Sequence, residues 1–377
     1  MSQPVHYHYG KFPPKDLDWN KLIPLIGPTS VALARYDGVL SAVPNPTILF
    51  TPFTTQEAVL SSKIEGTVTT ITEVLKFEIS KAEKDPGSEK TADIKEVLNY
   101  RKAMRHAVDL MKKLPLCQRV VKETHEILLR GVRGKDKSPG EYRTDQNWIG
   151  VRGCPIEEAR FVPISPDKLQ ESVNAWEKFI HADFSDELVK LAILHVEFES
   201  IHPFNDGNGR MGRMLVPLFL QSKKILKTPM FYISEYFEKN HEEYYNRLLS
   251  VSRENAWTDW CVFFMNAILT QAQVNQSKVK AILKLYEEKK SWIIGLTHSQ
   301  HAIKALDYFF KYPIFLSSDF SKKSGIPAPT AKRILSLLSK NDTFATLDES
   351  RGRKPATLAF RELLNIAEGR KVFADHE

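Results

Sequence analysis

Ile201-His202-Pro203-Phe204-Asn205-Asp206-Gly207-Asn208-Gly209-Arg210-Met211-Gly212-Arg213 is the stretch on which the reading of this chain turns. An apolar run precedes it (Leu191, Ile193, Leu194, Val196, Phe198) and another follows (Met214, Leu215, Val216, Leu218, Phe219, Leu220). The stretch is therefore a polar turn between two buried helices. Gly207 and Gly209 flank Asn208 where the second helix should begin, and glycine there lets the backbone bend sharply and approach a ligand closely. The free N–H groups of a helix start form a cradle for phosphate. Arg210 and Arg213 are one helical turn apart and can reach one anion. Asp206 can hold a magnesium ion through oxygen, and His202 is the group here that can take a proton near neutral pH. A base, a metal-binding carboxylate, an anion nest and two arginines are what phosphoryl or nucleotidyl transfer needs. The plainer reading is a helix-capping loop with a surface salt bridge. Six such residues within thirteen positions argue against it.

The same residues match, at every position, the motif H-x-F-x-[DE]-G-N-G-R-x-x-R, and the chain thereby resembles the Fic family. The resemblance implies a mainly α-helical Fic-fold core that transfers AMP from ATP to a Ser, Thr or Tyr hydroxyl of a target protein, itself included. ATP and Mg2+ are the implied cofactors. His202 would be the base, Asp206 the metal-binding group, and His202, Gly207, Asn208, Gly209, Arg210, Met211, Gly212 and Arg213 the ATP contacts. Phe204 is read as an anchor in the core. Removal of AMP by the same site is an alternative.

A second informative stretch is Thr54 to Gly66. Thr54-x-x-Glu57 predicts a capping box that opens a helix, Val59, Leu60 and Ile64 mark its buried side, and Gly66 is a suitable residue to end it. That leaves Glu65 in the last turn, where the helix dipole disfavours a negative charge. From the helix alone, Glu65 is a solvated surface carboxylate. Ser61-Ser62-Lys63-Ile64-Glu65-Gly66 also resembles the inhibitory motif [ST]-x-x-x-E-[GN] of autoinhibited Fic proteins. The resemblance makes Ser61, Glu65 and Gly66 an inhibitory element in which Glu65 pairs with Arg213 and blocks placement of the ATP γ-phosphate.

Composition is ordinary for a globular protein: 377 residues, 42% apolar and 26% charged. The net charge of +7 is compatible with nucleotide or nucleic-acid contact without being evidence of it. Cys117, Cys154 and Cys261 are far apart and show neither metal spacing nor a disulfide framework. With no signal-like N-terminus and no run long enough to span a bilayer, the expectation is a cytoplasmic protein without membrane contact.

Elsewhere the pattern predicts an extended, proline-rich arm over residues 1–50 around one short helix near Ser30–Tyr36. A second capping box, Thr70-x-x-Glu73, opens a helix through about Lys81. A polar loop follows at Glu83–Lys90, then helices near 91–113 and 117–130, with His106 and His125 read as packing or surface residues. Gly131 to Gly140 reads as a solvated loop. Residues 146–151 and 160–164 alternate as two strands of a β-hairpin. In the Fic resemblance this hairpin is a flap that holds the target segment by main-chain pairing, with Ala159, Arg160 and Phe161 over nucleotide and acceptor. His195, seven residues before His202, is read as core or as a residue just behind the site. Of Tyr244 and Tyr245, the resemblance favours Tyr244 as an adenine or ribose contact, against a plain core role.

Beyond residue 313 the character changes. Two short helices over Ser317–Lys340, then two strands over Phe344–Phe360 joined by a basic tip (Arg351-Gly352-Arg353-Lys354), outline a small winged helix-turn-helix domain. Residues 319–354 hold eight Lys/Arg against four Asp/Glu, a modest basic bias that leaves DNA binding, protein binding and a homodimer all open. On the DNA reading, the chain is chiefly a transcriptional regulator. The expected domains are an N-terminal Fic-associated region over 1–110 with the inhibitory helix at about 54–66, a catalytic core over 111–275, a helical connector over 276–312 and the winged helix over 313–377.

Overall fold

A computed structural model describes residues 3–43, 47–79, 88–151, 153–350 and 355–372, with the backbone alone for 47–50. Most of the loop expected at Glu83–Lys90, the flap residue Arg152, the prolines Pro44 and Pro46, and the basic tip Arg351–Lys354 lie outside the described residues.

The N-terminal arm contributes a short strand, β1 (Val5–His6), and then a helix much longer than expected, α1 (Trp19–Ser41, 23 residues). Pro24 and Pro28 sit inside it. They are four residues apart and both exposed, so the carbonyls that lose an N–H partner face water. Helix α2 (Thr47–Ile64) corrects the first capping box. Thr54 is interior, and the Thr55 hydroxyl instead donates to the Thr51 carbonyl at 2.6 Å, the back-bonding that competes with capping. The C-terminal end falls where Gly66 placed it, with φ +89°. The second capping box is realised reciprocally at α3 (Ile71–Ile79): Thr70 N–H donates to Glu73 at 3.0 Å and Glu73 N–H to the Thr70 hydroxyl at 3.2 Å.

Helices α4 (Glu89–Leu110) and α5 (Gln118–Leu128) follow. The expected hairpin is then reduced to one antiparallel bridge, Ile149 to Phe161, around a short 3-10 turn at Ile156–Glu158. Gly153, with φ +84°, and Pro155, with no N–H, lie in the connection between the two expected strands. Strand β2 (Phe161–Val162) also pairs, along its other edge, with β1, in parallel. Helices α6 (Pro166–His181), α7 (Glu187–Ile201) and α8 (Asn208–Ser222) come next. Asp186 caps α7 by accepting from Leu188 N–H and Val189 N–H, both at 2.9 Å. Then come α9 (Ser234–Lys239), α10 (His241–Glu254) and the 41-residue α11 (Trp257–Thr297).

The C-terminal part runs α12 (Ala302–Lys311), β3 (Ile314–Leu316), α13 (Ser317–Lys323), α14 (Ala328–Lys340), β4 (Phe344–Asp348), β5 (Thr357–Phe360) and α15 (Arg361–Glu368). The strands form an antiparallel sheet in the order β3-β5-β4. Strand, helix, helix, strand, strand is the order of a winged helix-turn-helix. Arg333, on the second of these helices, donates to the Thr297 carbonyl at 3.0 Å.

The chain divides into two compact units. One gathers Met1–Asp37, Leu60–Thr67 and Lys95–Gln273. Its core is the packing of α6, α7 and α8 together with an aromatic cluster of Phe237, Tyr244, Trp260 and Phe264 around His195. The other gathers Gly38–Val59, Val68–Ile94 and Val274–Glu377. Its core is built on Phe309, Phe315, Phe320, Phe344 and Phe360, with α3 packed against β3. No described helix is long and apolar enough to cross a membrane.

Candidate active site

Helix α7 is buried from Leu188 to Ile201 and delivers His202 at its C-terminal cap. There the backbone is left-handed (φ 48°, ψ 61°) and the His202 N–H returns to the Phe198 carbonyl at 3.0 Å. A non-glycine residue holds that conformation only where its surroundings enforce it. The enforcing group is Arg143, which sequence reasoning did not single out. Its buried guanidinium donates to the carbonyls of His202 (3.0 Å), Asp145 (3.0 Å), Ile201 (3.3 Å) and Ile164. Burial without a carboxylate partner lowers the Arg143 pKa to about 10.

The loop between α7 and α8 is closed by Asn208. Its side chain accepts from Phe204 N–H at 2.9 Å and donates to the Phe204 carbonyl at 2.8 Å. That side chain is buried and spent on closing the loop, so the Asn208 backbone is the part offered to a ligand. Phe204 is fully buried and stacks on His125 with ring centroids 3.7 Å apart. His125, expected to be a packing or surface residue, has a further role. Its Nδ1 accepts from Gly140 N–H at 2.9 Å, so its Nε2 carries the proton and donates to the Asp206 carbonyl at 2.8 Å. The Gly131–Gly140 segment is thus no free solvated loop. Gly134 lies so close to Asp206 that a Cβ there would stand 2.6 Å from Oδ2.

Arg210 donates to Asp206 Oδ1 at 3.3 Å and to the buried Glu96 at 3.1 Å, and Arg133 donates to the same Glu96 at 2.6 Å. Glu96 had no signal in the sequence beyond its place on a helix. Arg213 is buried and turned the other way. It donates to the Ser61 hydroxyl (2.9 Å), the Ser61 carbonyl (2.8 Å) and Glu65 Oε1 (2.6 Å). Burial works to raise the Glu65 carboxyl, but the charge and hydrogen bond of Arg213, with help from Arg210 and His202, hold it below the usual carboxylate range. The Glu65 carboxylate also lies over Gly209 in the first turn of α8, where a Cβ would come within 2.3 Å of Oε1. Only glycine fits beneath it.

Glu65, His202, Gly209, Arg213, Tyr244 and Phe161 line one cavity of about 290 Å³. Arg160 stands at its edge, donating to Asn246 at 2.7 Å with its guanidinium 5.7 Å from the Tyr245 ring centroid. Ala159 is buried behind the flap bridge. Gly207, Asn208, Met211 and Gly212 belong to the loop and helix that build the cavity, and Asp206 and Arg210 sit in the adjoining network with Glu96. Ser61 accepts from Arg213 beside Glu65, and Gly66 ends the helix that carries both.

The cavity adds residues beyond the expected set: Tyr245, Leu248 and Leu249 beside Tyr244, and Glu199 below His202. The signal for Glu199 was its spacing three residues before His202, which places both on one helical face. The Tyr244 hydroxyl and His195 Nε2 are 3.0 Å apart, both buried, so His195 supports the wall of the cavity from behind. His202 Nδ1 lies 3.2 Å from the Glu199 carbonyl. A carbonyl can only accept, so Nδ1 carries the hydrogen and Nε2 keeps its lone pair. Burial lowers the His202 pKa to about 4, leaving the ring neutral at neutral pH.

A single carboxylate suits magnesium, which keeps several waters and completes its shell with substrate phosphate oxygens. The half-exposed Asp206 fits that requirement. No cluster of three or more metal-binding side chains exists among the described residues.

Two family descriptions match in succession, Fic/DOC family N-terminal over residues 23–109 and Fic/DOC family over residues 115–220, together taking in about half of the chain. Protein adenylyltransferase fic-1 of Caenorhabditis elegans is 31% identical over 84 residues, 22% of this chain and 15% of that protein. Protein adenylyltransferase Fic of Drosophila willistoni is 29% identical over 129 residues, 33% of this chain and 24% of that protein. The matched segments thus span a quarter or less of these relatives. The crystal structure of a Fic family protein from Desulfovibrio desulfuricans superposes with a TM-score of 0.58 at 18% identity, over 92% of this chain and 98% of that one. With the fold shared along nearly the whole chain and both family regions matched in order, the chain belongs to the Fic/DOC family.

Proposed function

We propose that this protein is an adenylyltransferase that moves AMP from ATP to a hydroxyl side chain of a target protein. The observation that carries this reading is one cavity lined together by a neutral histidine, a buried arginine, the glycine start of a helix and a tyrosine-rich wall. Such a cavity offers a planar base an aromatic and aliphatic surface, and offers phosphates a helix N-terminus and a cation. The names of the matched relatives point the same way.

In the proposed reaction His202 Nε2 takes the proton of the acceptor hydroxyl. The acceptor oxygen bonds to the α-phosphorus of ATP, and the bond from that phosphorus to the pyrophosphate oxygen breaks. Gly207, Gly209 and the backbone of Asn208 cradle the phosphates, and Arg213 offsets charge on the leaving pyrophosphate. Met211 and Gly212 support that turn from below. Asp206, clamped between Arg210 and the Gly134 segment, would hold Mg2+. When bound, this ion neutralises phosphate charge. Tyr244 and Tyr245 flank the base. Arg160 and Phe161 on the flap face the acceptor, and Ala159 anchors them.

The Glu65–Arg213 pair supports an autoinhibited ground state. A carboxylate over Gly209 and bonded to Arg213 stands where the terminal phosphates of ATP would bind. The test is intact mass after incubation with ATP and Mg2+ for wild type, Glu65→Gly and Glu65→Gly/His202→Ala. A gain of one AMP in the single variant, absent from the double, is the expected result. No gain in any of them, with an acceptor protein supplied, sinks the reading. A second reading, hydrolytic removal of AMP, is favoured by the presence of the Glu65 carboxylate in the same cavity as His202. It predicts AMP release from a modified protein by wild type and not by Glu65→Gly.

A further inference from the structure

The cavity contains a buried carboxyl that the proposed reaction leaves idle. Glu199 is about nine-tenths buried, lines the cavity, and its Oε1 has no hydrogen-bond partner. His195 Nε2, kept neutral by burial, is 4.0 Å away and is already opposite the Tyr244 hydroxyl. Glu199 Oε1 lies so near the backbone of Gly212 that a Cβ there would be 2.1 Å from it. Two glycines of the first turns of α8 therefore each make room for a carboxylate: Gly209 for Glu65 and Gly212 for Glu199. A buried carboxyl with an unmade bond is costly to keep unless something fills it.

The position of Glu199 limits what could fill it. Glu199 interacts electrostatically with Tyr244 and Tyr245, in the wall suited to a planar base. It interacts likewise with Arg213 and Glu65, at the end suited to phosphate. A nucleotide bridging the two presents its sugar in between. Burial and the charge of Glu65, against the opposing pull of Arg213, raise the Glu199 pKa to about 8, so at neutral pH it is mostly a neutral acid. A neutral acid carries one O–H donor and a free acceptor oxygen. It can pair with a vicinal diol without repelling the neighbouring phosphates.

We propose that Glu199 is the sugar-reading residue of the nucleotide site, pairing with the ribose hydroxyls and selecting ribonucleotides over their deoxy counterparts. This rests on the nucleotide reading above. It makes Glu199 a specificity group, separate from the base His202 and from the switch residue Glu65.

The test is equilibrium binding of ATP and of 2′,3′-dideoxy-ATP by calorimetry, in the full chain carrying Glu65→Gly and His202→Ala. That background opens the phosphate end and stops transfer. The expected preference for ATP is about tenfold or more, as for a site built to bond a hydroxyl. Glu199→Gln, which keeps a donor and an acceptor, should retain it. Glu199→Met, of similar length and unable to bond, should bring the two affinities within about threefold by weakening ATP alone. Glu199→Ala serves as a second apolar variant should the methionine chain not fold. ATP binding whose sugar preference survives either apolar change overturns the assignment and leaves the nucleotide reading standing. Failure of the background chain to bind ATP at all overturns both.

Discussion

At the scale of single residues, the chemistry depends on which protons are absent. His202 keeps a bare Nε2 because its Nδ1–H is held by the Glu199 carbonyl and because burial makes the charged ring unfavourable. A base whose pKa is lowered to about 4 stays competent well below the usual histidine range. Transfer by Glu65→Gly should therefore hold its rate from pH 7 down to about 5, with the acid limb near 4. Initial rates against pH check this, and an acid limb centred near 6.5 would contradict it. The Glu65 carboxyl is held below its ordinary range, so its pairing with Arg213 is present above that range and lost only as pH falls through the lowered value. Mild acid at pH 5 should not activate the wild-type chain, whereas Glu65→Gly should be active there.

At the scale of elements, two structures that chemistry alone would not have chosen hold the loop between α7 and α8. Arg143 gathers the carbonyls on which the left-handed turn at His202 depends. Arg143→Met should cost about 2–4 kcal/mol, since several buried acceptors lose their donor together. At a temperature where the variant is still folded, transfer should also fall about tenfold or more, because His202 is no longer held in place. Thermal melts and rates measured on the same sample separate the two effects. The Gly131–Gly140 segment is the second structure. Gly134 has φ +84° and touches Asp206, so Gly134→Ala strains the backbone and displaces the carboxylate at once. The Mg2+ concentration for half-maximal transfer should rise by about tenfold. An unchanged requirement would mean that Asp206 is not the metal-binding group.

For the molecule as a whole, burying this many titratable groups in one unit makes stability depend on pH from both sides. His125, His195 and His202 are buried with pKa values lowered to about 4, 3 and 4. The unfolded chain takes up their protons near 6.5 and the folded one does not. Their contribution is complete above 6.5 and is lost as pH falls toward 4. Glu199 runs the other way. Its folded value of about 8 makes its contribution complete below the ordinary carboxyl value and lost as pH rises toward 8. Melting temperature should thus drop on both flanks. Glu199→Gln, which removes the alkaline part, should stabilise the protein at pH 8–9 by an amount on the order of a few kcal/mol. Melting curves that coincide for the two chains at pH 9 would show that Glu199 is not a buried neutral acid.

The local sequence was enough to place every element whose signal is local. The turn between α7 and α8 was legible because glycine, asparagine and arginine are demanded there at fixed offsets. The capping box before α3 and the end of α2 at Gly66 were legible for the same reason. The C-terminal strand and helix order could be read because short apolar runs alternate with turn residues. Local preference misled wherever distant packing overrode it. Thr54 became a helix interior because α2 begins at Thr47, and the prolines of α1 are tolerated because they share a solvent-facing side. The hairpin shrank to a single bridge, and the other edge of its second strand is taken by β1. The candidate site divides along the same line. His202, Asp206, Gly209 and Arg213 could be named from thirteen consecutive residues. That Glu65 lies 2.6 Å from Arg213, that Arg143 braces the turn, that His125 and Gly134 clamp Asp206, and that Glu199 lies buried without a partner were decided only by the tertiary structure. Such contacts join residues tens to more than a hundred positions apart, and burial, which sets their protonation and their partners, exists only once the chain has closed around them.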